Sequence, residues 1–180
     1  TQIMAQVASN QYGGQSVDIR HLGKYLRRTR TKAYKHYKER GYDESLCNEL
    51  AEDKMLTELK SGVQTIQYQI NTLQTSNGQA PFVTIFMHIE DGFEYEKEVA
   101  LIVKEILKQR LEGVKNRQNV VVTPPFPKLV YVLDENNCLQ GGKYDYITRD
   151  YAIPCSAKRM YPDYISAKQM RKIYDGHVFS

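Results

Sequence analysis

Arg27, Arg28, Arg30, Lys32 and Lys35 fall within about two and a half turns of one helix. Arginine grips phosphate bidentately and lysine meets it as a point charge, so phosphate binding is one reading of the run. A solvated helix face is the other. Solvated faces usually mix signs for i,i+4 support, yet Arg20 to Arg40 holds nine Lys/Arg against one acid, Glu39. Tyr12, Tyr25, Tyr34 and Tyr37 lie among these cations. Aromatic rings stack bases in single-strand binders, but the same tyrosines fall near the apolar face and suit a core or an interface. No motif of a known nucleic-acid reader accompanies them.

No catalytic constellation assembles from the other reactive residues. His21, His36, His88 and His177 are scattered, without a partner at metal-ligand spacing. His88 lies in an apolar run and reads as a core histidine. Cys155 precedes Lys158 and Arg159, which can lower a thiol pKa; a buried structural cysteine is the plainer reading. Asp91, Glu94, Glu96 and Glu98 surround a turn and suit a helix N-terminus better than a pair of acid/base carboxylates. In "NQYGGQS", Gly13 and Gly14 free the backbone for a positive φ or a close approach. Ser16 is expected to cap the helix that follows, whose N–H groups would form an anion site. A tight helix–loop–helix turn explains the same residues.

The elements that must position these residues follow from periodicity. Ile3, Met4, Val7 and Ala8 mark a first helix. Ile19, Leu22, Leu26, Ala33 and Tyr37 mark a second, from about Asp18 to Glu39. Leu46, Leu50, Met55, Leu59, Val63, Ile66 and Ile70 mark a long third from near Asp43, with Gly62 as a candidate kink. Phe82 to Ile89 reads as a strand buried on both faces. A fourth helix runs from Tyr95 to about Val114. The prolines of "VVVTPPFP" exclude a central strand there, and "KLVYVL" is the second buried strand. Tyr144 to Ala152 reads as helical, Ser166 caps a short last helix, and His177 opens a candidate last strand. Buried strands alternating with helices imply a parallel α/β fold.

The 180 residues suffice for one domain with a core. Net charge is +4, and the excess is local to the second helix. Cys47, Cys138 and Cys155 are far apart, with no CxxC spacing, which fits a reducing cytoplasm. No apolar run is long enough to span a bilayer, so no membrane partner is expected. The chain opens inside a helical pattern without an initiator Met and closes on "GHVFS", so it reads as a piece of a longer protein.

Four stretches together are more specific than any motif above: "QIMAQVASNQYGGQS", "GVQTIQYQINTLQTSNGQAPFVTIFM", "ILKQRLEGVKN" with "TPPFPKLVYVLDENN", and "CSAKRMYPDYISAKQM". In this order the chain resembles the middle of anaerobic (class III) ribonucleoside-triphosphate reductases, most weakly over Lys24 to Ser61. The resemblance implies an α/β, helix-rich N-terminal half of a ten-stranded glycyl-radical-enzyme barrel, with two or three buried strands here. It divides the chain into a helical dimer-interface and effector region, 1–75, and the first α/β units of the barrel, 76–180. In the family a C-terminal glycyl radical is passed to a cysteine, and the thiyl takes the ribose 3′-hydrogen of a ribonucleoside triphosphate. Formate is the reductant, cysteines hold zinc, and a radical-SAM activase makes the glycyl radical.

The family's thiyl cysteine lies in a Met-Gly-Cys-Arg stretch that this sequence does not contain, and its three cysteines do not match that position. The resemblance therefore implies no catalytic and no metal-binding residue here, no cofactor held by these residues, and an inactive fragment. It implies a homodimer with dNTP/ATP effectors at the interface. Gln2 and Gln6 would face that interface, Arg30, Lys32 and Lys35 would hold effector phosphate, and Gly13 and Gly14 would shape the loop. Nucleic acid is not an expected partner. The alternative is a stand-alone nucleotide- or nucleic-acid-binding module using the basic helix.

Overall fold

The computed structural model describes residues 2–10, 14–72, 82–115, 118–124 and 126–178. Helix α1 (Gln2–Asn10) leads to strand β1 (Gln15–Asp18) and a 3₁₀ turn (Ile19–Leu22). Helices α2 (Gly23–Glu39) and α3 (Glu44–Thr72) follow, then β2 (Val83–Met87) and α4 (Glu96–Glu112). A small antiparallel pair, β3 (Val114–Lys115) and β4 (Val121–Val122), precedes β5 (Lys128–Leu133). The chain closes with α5 (Glu135–Cys138), α6 (Asp145–Ile147) running into a π turn (Thr148–Ala152), α7 (Ile153–Arg159), β6 (Asp163–Ser166) and α8 (Ala167–Ile173).

Four strands form one parallel sheet in the order β1-β2-β5-β6. Its centre is apolar for the expected reason. Leu129, Val130, Tyr131 and Val132 of β5 are all buried, so β5 is covered on both faces. In β2, Val83, Ile85 and Met87 are buried while Thr84 and Phe86 are half-buried. The core joins this face to Leu26 of α2, Met55, Val63 and Ile70 of α3, and Val99, Val103 and Leu107 of α4. Helix α2 lies along α3, and both pack on α4.

Three expectations are corrected. The second helix does not start at Asp18, and Ser16 is not its cap: both belong to β1, paired with Thr84 and Phe86 of β2. The cap is Asp18, whose side chain accepts from Arg20 N–H at the start of the 3₁₀ turn. The two strands expected to be buried, β2 and β5, are so, and the parallel sheet adds two half-exposed edge strands, β1 and β6. Among the described residues His177 opens no strand and makes an isolated bridge to Tyr174; residues 179 and 180 lie outside them. Ser166 does cap α8, accepting from Gln169 N–H. Gly13 lies outside the described residues.

Candidate functional site

Ligands of open parallel sheets bind beyond the carboxyl ends of the strands, and here those ends carry a cluster of paired charges. Asp18, the last residue of β1, accepts from Arg20 N–H at 2.9 Å and from Arg20 Nε at 2.7 Å. Arg20 also pairs with Glu90, three residues past β2. His88, just past β2, is fully buried, with Nε2 3.2 Å from Asp134 Oδ2 just past β5. Asp134 caps α5: its Oδ1 accepts from Glu135 N–H, and its own N–H donates to Asn137 Oδ1. Arg171 of α8 closes a fork on the same carboxylate, at 3.1 and 2.5 Å.

Burial alone would push the Asp134 carboxyl up. The bonds from Arg171, His88 and Glu135 N–H outweigh it and hold the group below the ordinary carboxylate value. Burial, with the nearby Arg20 charge, holds His88 below the ordinary histidine value despite Asp134. An ionised carboxylate only accepts, so His88 Nε2 carries a proton toward it. Arg20 and Arg171 are both matched by acids. The network can hold three strand ends and α8 in register; it offers no uncompensated cation to an incoming phosphate.

The basic helix divides into two sets. Arg27 donates to Glu98 at 2.7 and 2.9 Å and lies over the Tyr95 ring, fastening α2 to α4. Arg30 donates to Glu52 at 2.9 Å and Asn48 at 3.0 Å, fastening α2 to α3. Arg28, Lys32 and Lys35 are exposed and pair with no acid among the described residues. Lys32 lines a groove of about 590 Å³ between α2 and α3, together with Thr29, His36, Tyr37, Lys54 and Glu58. Lys35 lies on the same helix outside that groove. Gln6 is exposed on α1; Gln2 opens α1, and its side chain lies outside the described residues. Gly14 is exposed, and an added Cβ would make ordinary contact with Phe82 O at 3.8 Å, so space does not demand glycine there.

Residue types alone did not reveal the Asp134 network. The capping pattern "DENN" after an apolar run is a local signal for Asp134. Arg171 carries none, because its partner is 37 positions away. Cys47 and Cys155 are buried free thiols and Cys138 is an exposed one. Burial pushes Cys155 up, against Arg110 and Arg159. Among the described residues, no three His, Cys, Asp or Glu side chains gather as a metal site. Among them, no helix is long and apolar enough to cross a membrane.

Residues 1–179 match the model of a family described as anaerobic ribonucleoside-triphosphate reductase. The chain is similar to proteins of that name from Enterobacteria phage T4 and from two bacteria. The phage protein is 38% identical over 180 residues, covering 98% of this chain and 28% of the relative. The Haemophilus influenzae protein is 34% identical, covering 96% and 23%. The Escherichia coli protein is 32% identical, also covering 96% and 23%. The chain thus spans about a quarter of the length of the curated relatives it matches.

Proposed function

Because the chain belongs to the anaerobic ribonucleoside-triphosphate reductase family, we propose that it serves an enzyme reducing ribonucleoside triphosphates to deoxyribonucleotides. In this reading α1, α2 and α3 form the effector and dimer-interface region, and β1, β2, β5 and β6 are strands of a ten-stranded barrel. The observation that carries the reading is the family match over nearly every residue, laid on a sheet whose strands all run parallel.

In the whole enzyme the glycyl radical would supply the hydrogen-abstracting chemistry, and formate the reducing electrons. Cys47, Cys138 and Cys155 are not assigned the thiyl. The described residues do not fit the zinc that the family implies, since no ligand cluster forms among them. What these residues do is bind and position. The network around Asp134 holds the carboxyl ends of the strands in register beneath the reaction face. Lys32 and Lys35 hold the effector triphosphate, and Arg30 adds NH1, its Nε and NH2 being engaged by Glu52 and Asn48. Gln6 turns toward the second subunit of a homodimer, with Gly14 in the link between α1 and β1. The radical-SAM activase is the other protein partner.

The test is calorimetric titration of the whole dimeric protein with each of the four dNTPs. Lys32→Ala/Lys35→Ala should weaken binding at least tenfold, since each charge-assisted hydrogen bond contributes about 1.5–3 kcal/mol. The wild-type affinity should fall with salt, because exposed charges are screened within a Debye length of roughly 8 Å at physiological ionic strength. Equal affinities would make the basic run a solvated face. Oligonucleotides that bind more tightly than dNTPs and compete with them would favour a nucleic-acid-binding module instead.

A further inference from the structure

Arg110 near the end of α4 is a cation without a counter-ion. It is completely buried. Its NH1 and NH2 donate to the carbonyls of Pro124 and Pro127, and its guanidinium lies 5.6 Å from the Tyr161 ring centroid. None of these partners is an anion. Every Asp and Glu of the chain lies among the described residues, and none pairs with Arg110. Its Nε has no hydrogen-bond partner among them, and neither has Nε2 of Gln67, which is 7% exposed. Both orphaned atoms are donors, and both residues line one cavity of about 240 Å³.

The rest of that cavity is mostly apolar. Leu26 of α2, Val63 and Ile66 of α3, Ile85 of β2, and Ile102 and Ile106 of α4 form its wall. Tyr25 and Glu58 reach it from exposed positions. Glu58 is itself taken by Lys54 at 3.3 Å. A buried cation is stable when an anion meets it. A water at the two donors would leave that charge uncompensated.

We propose that this cavity binds a small amphipathic anion, a carboxylate on an apolar chain, with its oxygens on Arg110 Nε and Gln67 Nε2. An apolar cavity of about 150 Å³ takes benzene, so this one has room for a chain of about six carbons. Burial, which holds the Arg110 guanidinium below its ordinary value, favours an incoming negative charge for the same reason. The cavity adjoins the groove that Lys32 lines, sharing Thr29 and Glu58 with it, but Arg110 and Gln67 lie outside that groove, and the proposal does not depend on the nucleotide reading.

The probe is hexanoate, titrated calorimetrically into the whole protein, with hexanol and acetate as controls. Hexanoate should bind saturably, and each control at least about tenfold more weakly, one lacking the charge and the other the chain. Gly62 also lines the cavity, and a Cβ added there meets nothing within 4 Å. Gly62→Leu should therefore fold, occupy the space and abolish hexanoate binding while leaving dNTP binding intact. Gln67→Leu should weaken hexanoate about tenfold. The proposal is overturned if hexanoate does not bind, if hexanol binds as tightly, or if Gly62→Leu binds hexanoate like wild type.

Discussion

His88 and Asp134 tie acid sensitivity to the carboxyl ends of the strands. Each has a folded-state pKa below its ordinary value. The unfolded chain therefore takes up these protons first as pH falls. The His88 contribution is complete above about pH 6.5 and is lost progressively below it; the Asp134 contribution is lost below about pH 3.9. The melting temperature should accordingly drop in two stages on acidification. His88→Gln should flatten the first stage, and a wild-type curve level from pH 7.5 to 4.5 would contradict the assignment. Asp134→Asn loses the charge that Arg171 and His88 share. It should cost about 1.5–3 kcal/mol in urea unfolding at neutral pH.

Helix α2 has its place decided by its neighbours α3 and α4. Gly23, its first residue, packs so close to α4 that an added Cβ would sit 2.6 Å from Tyr95 Cβ. Gly23→Ala should therefore destabilise by about 1–3 kcal/mol through overpacking, although alanine is the better helix former. One turn later Arg27 reaches Glu98 of α4. With Glu98 largely shielded and Arg27 partly so, a double-mutant cycle on this pair should give a coupling of about 1 kcal/mol. The same cycle on the exposed Lys54–Glu58 pair within α3 should give at most about 0.5 kcal/mol. Equal couplings would mean that the α2–α4 contact does not depend on Arg27.

The sheet leaves β1 and β6 with one strand neighbour each among the described residues. Edge strands template pairing with another chain. Helix α3 adds a rod about 43 Å long, with Leu56 and Tyr68 exposed on it. A preparation of these 180 residues alone should self-associate as its concentration rises, and light scattering that reports a monodisperse monomer throughout would rule this out. In the reading proposed here, further barrel strands and a second subunit cover the same surfaces.

Periodicity along the sequence determined α3, α4, β2, β5 and α8, because each carries enough apolar side chains at period 3.6, or in an unbroken run, to declare its buried face without reference to a partner. The family was legible as well, from four stretches whose order the chain preserves. Strands β1 and β6 were not: "QSVD" and "DYIS" are four residues long, half-exposed at the sheet edges, and become strands because β2 and β5 offer them a ladder. The basic helix shows the same divide. Its charge was plain from composition, yet Arg27 and Arg30 are held by Glu98 and Glu52, 71 and 22 positions away, while Lys32 and Lys35 stay exposed without an acid partner. Local pattern decides which face of a segment avoids water; which charge meets which, and which buried cation is left without an anion, depends on contacts that exist only once distant segments pack.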